Sequence, residues 1–258
     1  MGGKKLERRH YRGRLAKKVL LSEREQCFHL EFWVEEEFGF APGQFISLVA
    51  EDERGKQQTR AYSIASALRS GGFDLCVNRV EGGFFSNLLC DMEVGEEVEF
   101  HGPHGMFVLK EPLTDSVFVA TGTGIAPFKG YVEWLFPEGG DRSDGREIWL
   151  VYGTRHRTEL YYEEYFERVA AERENFHYLK TLSREGAEWT GLRGHVQEHV
   201  ARIVEEWSAR TGEAAGREQP PFGMHAYICG LNEMVGETRA LLKEMGWSRK
   251  QIVFERYD

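Results

Sequence analysis

Only four cysteines occur in the 258 residues, Cys27, Cys76, Cys90 and Cys229, and none shares a CxxC or CxxxxC spacing with another. That pattern excludes the compact thiolate quartets that hold zinc or an iron–sulfur cluster within one chain. It also suits a reduced, intracellular setting. No apolar run approaches the roughly 20 residues needed to cross a bilayer. The N-terminal segment MGGKKLERRH is polar where a secretory signal would be apolar. The expectation is a cytoplasmic protein without a membrane span. Disorder is excluded on composition, because 41% hydrophobic and 13% aromatic residues can fill ordinary cores. The length suits two domains of roughly 100–150 residues each.

The net charge of −9 conceals an asymmetry. Lys4, Lys5, Arg8, Arg9, Arg12, Arg14, Lys17 and Lys18 crowd the first 20 residues against Glu7 alone. Such a run reads either as a solvated, partly disordered arm or as a docking patch for an acidic partner. No recognised nucleic-acid motif accompanies it, so no nucleic-acid partner is expected.

Residues 15–109 hold short β-like segments at 14–21, 27–34, 44–50, 73–80 and 97–100, rich in Val, Phe, Ile and Leu, with turns at 52–55 and 70–72. One helix is expected near 84–92. Many short strands with a single helix predict a small antiparallel β-barrel. The polar, proline-containing stretch 110–115 marks the boundary, giving domains 1–111 and 112–258. Beyond it, compact apolar runs at 117–120, 148–152, 176–181, 226–229 and 251–254 alternate with helical candidates at 128–136, 161–173, 195–207 and 233–245. This rhythm predicts an α/β doubly wound parallel sheet of about five strands. The stretch 208–223 reads as an irregular loop.

Each strand of the second half runs directly into a small or polar group. The first leads to Thr121-Gly122-Thr123-Gly124-Ile-Ala-Pro127, the second to Gly153-Thr-Arg155, and the third to Ser183-Arg184-Glu185. The fourth leads to Gly230 and the last to Glu255-Arg-Tyr257. Ligands of open parallel sheets bind outside the carboxyl ends of the strands, so five such tails on one edge suit a nucleotide. Gly122 and Gly124 let the backbone approach a pyrophosphate, and Pro127 fits the first turn of a following helix. A tight turn would also explain that loop. Ser183 and Arg184 suit a ribose 2′-phosphate, which favours NADP, although Ser183 would equally serve as a helix N-cap. In the first half, Arg60 and Tyr62 alternate onto one strand face, as a flavin diphosphate and ring require. Gly82-Gly83-Phe84-Phe85-Ser86 opens a helix whose N-terminus can hold a phosphate.

The ordered set RAYS (60–63), VNR (77–79), GGFFS (82–86), GPHGMF (102–107), GTGIAP (122–127), YGTR (152–155), LSRE (182–185), CG (229–230) and ERY (255–257) resembles the ferredoxin–NADP reductase family. The resemblance runs from about residue 43 to 257. It implies an FAD-binding six-stranded antiparallel barrel followed by an NADP-binding domain. Residue by residue, it implies that Arg60 contacts the FAD diphosphate, with Ala61 in the same motif, while Tyr62 packs on the isoalloxazine and Ser63 lies near its N5. It assigns Cys76, Val77 and Asn78 to the FAD by their backbone, and Gly83, Phe84, Phe85 and Ser86 to its pyrophosphate. Thr121, Gly122, Thr123 and Gly124, with Cys229 and Gly230, would frame the nicotinamide. Arg155, Ser183 and Arg184 would take the 2′-phosphate, and Tyr257 would stack on the flavin. Ser63, Cys229 and Glu255 would form the catalytic set that orients hydride transfer.

Three positions differ from the family pattern. Asp258 follows Tyr257, Asn78 stands where many members carry lysine, and His195 occupies a position that is basic and phosphate-binding in some bacterial members.

The resemblance implies a flavoenzyme that passes electrons between NADPH and a separate ferredoxin or flavodoxin. An oxygenase reductase component or a flavin or quinone reductase shares the same scaffold. An FAD-binding electron-transfer subunit without its own NADPH turnover is a further alternative, against which the Ser63, Cys229 and Glu255 set argues. We expect Glu255→Ala to lower the rate of flavin reduction by NADPH far more than the FAD content, measured by stopped flow and by absorbance. Equal loss of both would make Glu255 structural.

Overall fold

A computed structural model describes residues 9–257, which divide between two compact units, Met1–Val108 and Leu109–Asp258. In the first unit, β1 (His10–Ser22), β2 (Cys27–Val34), β3 (Phe45–Glu51), β4 (Gln57–Ser63), β5 (Gly72–Asn78) and β6 (Glu97–His104) form one antiparallel sheet, with α1 (Phe84–Asp91) between the last two strands. The strand order is β4-β3-β6-β1-β2-β5, and an antiparallel bridge between Ile64 and Leu75 closes the sheet on itself. Closure follows from the pleat. Tyr11, Gly13 and Leu15 of β1 point inward while His10, Arg12 and Arg14 point out, and the other strands bury their own apolar rows. The enclosed core is aromatic. Phe100 meets Tyr11, Phe38 and Phe73 at ring-centroid distances of 5.5, 5.2 and 5.0 Å, and Phe32 stacks on Phe73 at 5.4 Å.

The basic N-terminal run behaves differently from a loose arm wherever it is described. From His10 it is the long strand β1. Arg14 pairs with Glu97 at 3.1 Å and Lys17 with Glu31 at 2.9 Å, while Lys18 donates to the carbonyls of Cys90 and Met92. Alternating apolar residues within the charge run let it fold as a strand, and neighbouring strands supply the carboxylates. Lys4, Lys5, Glu7 and Arg8 lie outside the described residues. Strand β4 begins three residues before Arg60: Gln57, Gln58 and Thr59 carry no apolar alternation, yet they pair with β3.

The second unit alternates strand and helix except where β9 is followed by β10: β7 (Asp115–Thr121), α2 (Ala126–Leu135), β8 (Ile148–Thr154), α3 (Glu163–Glu172), β9 (Phe176–Leu182), β10 (Leu192–Arg193), α4 (Val196–Thr211), β11 (Met224–Leu231), α5 (Asn232–Glu244) and β12 (Ile252–Tyr257). All neighbours are parallel in the order β10-β9-β8-β7-β11-β12. The sixth strand, β10, is two residues long, too short to leave a periodic signal. On one face Val200, Ile203 and Val204 of α4 and Val235 and Leu242 of α5 pack against Val117, Val119 and Ile228. On the other, Phe128 and Tyr131 of α2 pack against Phe118 at 5.3 and 5.4 Å.

His195 is the N-cap of α4, in a reciprocal capping box with Glu198. Its place in the chain is therefore explained by helix initiation. No described helix is long and apolar enough to cross a membrane.

Phe100 is fully buried at the centre of the barrel's ring cluster. Phe100→Ala is expected to destabilise the protein by about 3–5 kcal/mol through lost contacts and a residual cavity, read from urea denaturation.

Candidate active site

Within the barrel, Arg60, Ala61, Tyr62 and Ser63 complete β4, with Tyr62 opposite Ile46 and Ser63 opposite Phe45. Tyr62 lies half-buried against the core with its hydroxyl pKa pushed up to about 12 by burial, against the opposing pull of the Arg60 charge. It is a neutral aromatic surface beside an exposed guanidinium. The loop that follows is clamped by an ion pair between the exposed Arg69 and the buried Asp74, both guanidinium ends meeting the carboxylate, and by Asp74 N–H donating to Ser66 Oγ at 3.1 Å. The motif reading did not include this clamp. A charged pair straddling a variable loop leaves no spacing signature.

Cys76 and Val77 are buried in β5, and the Asn78 side-chain oxygen at its end is buried without a hydrogen-bond partner. Arg79 then reaches α1, bonding Asn87 at 2.9 Å and Asp91 at 2.6 Å. That grip sets the N-terminus of α1 beside the end of β5. A Cβ at Gly83 would collide with Ser86 Oγ, so only glycine leaves the turn open before Phe84 and Phe85. The Ser86 hydroxyl accepts from Val80 N–H at 3.2 Å. It closes the turn, leaving the first N–H groups of α1 as the free donors. An orphaned amide oxygen, a side-chain-free turn and a helix N-terminus beside an arginine and a neutral ring fit a flavin dinucleotide.

In the second unit, register brings the predicted residues to one edge. Ala120 pairs with Cys229 and Cys229 with Glu255, so these three lie in one row across β7, β11 and β12. Thr121 pairs with Gly153 and Gly153 with Thr181 in the opposite direction. Past the strand ends, Ser183 N–H donates to Thr154 O at 3.0 Å and Arg184 N–H to Arg155 O at 2.9 Å. The ladder thus continues one step beyond the sheet and holds Arg155 and Arg184 on adjacent segments, both exposed.

The glycine loop approaches the strand beside it so closely that a Cβ at Gly124 would overlap the Cys229 carbonyl oxygen. Gly230, at φ +154°, faces Thr121, whose side-chain oxygen is buried without a partner. The hydroxyl of Tyr152, fully buried, lies 2.9 Å from both the Gly122 and the Glu159 carbonyl oxygens, which share its single proton, and so pins the loop from below. The YGTR motif contains this tyrosine, yet only the fold assigns it that role. An unsatisfied hydroxyl over a glycine cradle fits a planar amide such as nicotinamide.

Cys229 is 0% exposed. Burial pushes its thiol well above the ordinary range and the Glu255 charge adds to this, while a hydrogen bond with Tyr257 acts in the opposite direction. Both influences favour the neutral thiol. It can pack against a ligand and offer a weak hydrogen bond.

One antiparallel and one parallel sheet, each carrying such a cradle, define a flavin- and nicotinamide-binding oxidoreductase. The oxidoreductase FAD-binding domain family matches residues 12–109, and the oxidoreductase NAD-binding domain family matches residues 118–240. The chain is 38% identical over 225 residues to ferredoxin–NADP reductase B of Sorangium cellulosum, covering 86% of each chain. It is 30% identical over 252 residues to the phenol 2-monooxygenase reductase component DmpP of Pseudomonas sp., covering 96% of this chain and 65% of that one. Among solved structures it is similar to the Amycolatopsis cytochrome P450 reductase GcoB, with TM-score 0.79, 25% identity and coverage of 96% of this chain and 69% of that one. The Neisseria gonorrhoeae ferredoxin NADP+ reductase superposes with TM-score 0.77 at 24% identity, covering 97% and 99%. The chain belongs to the ferredoxin–NADP reductase family, as an FAD-dependent, NAD(P)H-dependent flavoenzyme.

Gly124→Ala is expected to lower flavin reduction by NADPH at least tenfold, because the loop must withdraw from Cys229, while FAD content stays unchanged. Stopped-flow bleaching with absorbance-based flavin quantitation reads both.

Proposed function

We propose that this enzyme passes electrons between NADPH and a separate one-electron carrier of the ferredoxin or flavodoxin class. The observation that carries this reading is the carboxyl edge of the parallel sheet, where Thr121, Cys229, Gly230 and Glu255 lie beside the Thr154–Arg155 and Ser183–Arg184 segments. The 38% identity to a ferredoxin–NADP reductase supports the choice of carrier.

In this reading Arg60 neutralises the FAD diphosphate, Tyr62 packs on its ring and Ser63 hydrogen-bonds at its reactive edge. The backbone of Cys76, Val77 and Asn78 and the turn Gly83–Ser86 hold the remainder. Bound FAD would supply the chemistry, a two-electron hydride exchange coupled to one-electron exchange. Thr121 donates to the nicotinamide amide across the gap opened by Gly230. Cys229 packs on the ring, and Glu255 stabilises charge or holds a proton at its carboxylate. Tyr257, bonded to Cys229, leaves that thiol when nicotinamide enters, a gating step of the kind that often limits turnover. Arg155 and Arg184 take the 2′-phosphate, with Ser183 as a short-range donor.

A second reading, the reductase component of an oxygenase, is favoured by the similarity to the phenol 2-monooxygenase reductase. That chain is longer, and this one spans 65% of it.

The test is a stopped-flow mix of the yellow protein with NADPH and then NADH, followed by cytochrome c reduction with and without ferredoxin. Fast bleaching by NADPH, with ferredoxin required for cytochrome c reduction, is the expected outcome. Equal rates with NADH would overturn the NADP assignment, and efficient cytochrome c reduction without a carrier would overturn the carrier. Arg184→Ala is expected to raise the KM for NADPH about tenfold or more, leaving that for NADH unchanged, because a charge-assisted bidentate contact is lost. Steady-state kinetics with both nucleotides reads this.

A further inference from the structure

The four cysteines carry no spacing motif, yet the fold sets two of them against each other. Cys27 opens β2 and Cys76 lies in β5, and their Sγ atoms are 3.7 Å apart. Register explains the meeting. Cys27 pairs with Asn78 and His29 with Cys76, so the two cysteines are diagonal neighbours across an antiparallel pair. Both stand on the face opposite the core rows of Leu30, Phe32, Leu75 and Val77. The same face carries His29, whose Nε2 lies 3.4 Å from Glu31 and 3.7 Å from Asp74, so a base stands beside the pair. The other two thiols have different company. Cys90 faces the Gln26 carbonyl at 3.9 Å, and Cys229 bonds to Tyr257.

Thiols already in contact need little movement to bond, whereas most cysteines of a fold cannot be bridged without moving the backbone. The pair also sits where such a bond would be felt. Asn78, the ladder partner of Cys27, ends β5, and the next residue, Arg79, donates its N–H to the Gln26 carbonyl at 3.1 Å. Gln26 itself holds φ +46°, a left-handed conformation that a residue with a side chain adopts only under constraint. A shift of Cys76 towards Cys27 is therefore passed to Asn78 and Arg79, and Arg79 grips α1 through Asn87 and Asp91. Cys76 is 6% exposed and Cys27 0%, so a small oxidant reaches Cys76 first.

We propose that Cys27 and Cys76 are an oxidisable dithiol, converted by a hydroperoxide to a disulfide that loosens the flavin cradle. The effect on the cradle rests on the assignment of Cys76, Val77 and Asn78 to FAD proposed above. The Cys76 thiolate attacks one peroxide oxygen and the O–O bond breaks. The departing hydroxide takes up the proton that Cys76 gave up and leaves as water, and Cys76 becomes a sulfenic acid. The Cys27 sulfur then attacks that sulfur. The S–S bond forms, the S–O bond breaks, and the hydroxyl leaves with the Cys27 proton as a second water. With hydrogen peroxide, two thiols and one peroxide give one disulfide and two waters, the cysteine pair losing two electrons.

The experiment treats the reduced, desalted holoenzyme with hydrogen peroxide, as wild type and as Cys27→Ser, Cys76→Ser and Cys90→Ser. Peptide mapping after alkylation of the denatured protein reads the linkage, and flavin fluorescence reads FAD release. Wild type and Cys90→Ser are expected to yield a Cys27–Cys76 linked peptide that dithiothreitol resolves. Neither Cys27→Ser nor Cys76→Ser should yield it, and dimedone should trap a sulfenic acid on Cys76 in Cys27→Ser. Oxidation of wild type should speed FAD release about tenfold, comparable to the loss of one backbone hydrogen bond, and dithiothreitol should restore slow release. The wild-type map needs no variant, so the test holds if a substitution in the buried pair prevents folding. Oxidation confined to Cys90, Cys229 or methionine, with Cys27 and Cys76 still alkylated, would overturn the dithiol. Linkage with unchanged FAD release would overturn its coupling to the cradle. Reduced Asn78→Ala should also release FAD faster. Unchanged release in that variant would overturn the strand's assignment to FAD while leaving the dithiol standing.

Discussion

The register of the parallel ladder is the constraint on which the site depends. Parallel strands satisfy their backbone groups only at fixed offsets, and those offsets align Ala120, Cys229 and Glu255 in one row. The next residues along each strand then reach the same edge together, so Thr121 faces Gly230 and the backbone of Ser183 and Arg184 meets that of Thr154 and Arg155. A slip of one residue in β11 would turn Cys229 to the opposite face and bring a side chain where Gly230 now clears Thr121. The close approach of Gly124 to the Cys229 carbonyl makes that register unforgiving, because no side chain fits between the two.

The barrel meets the corresponding demand by closure. The Ile64–Leu75 bridge ends the sheet where β4 delivers Arg60, Tyr62 and Ser63, and the Arg69–Asp74 pair fixes the loop that follows. Arg79 does similar work at the other end of β5, tying α1 to it through Asn87 and Asp91. These charged groups touch no reacting atom. They hold turns in which glycine keeps the backbone clear of side chains.

Electrostatics are divided in the same way between what is neutralised and what is left open. Most of the described cations of β1 are consumed by cross-strand pairing or by carbonyls, whereas Arg155 and Arg184 remain exposed. At Cys229 the balance runs the other way. Burial and the adjacent carboxylate keep the thiol neutral, so its value lies in shape and weak hydrogen bonding.

Motif order by itself determined the family resemblance, the two-part architecture and the residues assigned to each cradle. Gly-rich turns and strand-terminal polar groups are local signals that survive without a fold. The helices of the second half were legible too, since each has an apolar stripe of period 3.6. Other features came only with tertiary structure. The two-residue strand β10, the polar start of β4 and the capping role of His195 have no periodic or compositional signature. The hydroxyl of Tyr152 under the glycine loop, the burial of the unpartnered Thr121 and Asn78 oxygens and the seat of Arg239 over the Phe254 ring all arise between segments apart in sequence. The basic N-terminal run shows the same division. Counting charges marks it as a patch, but whether a charge is available depends on which carboxylate folds beside it, and that is fixed only when strands pair.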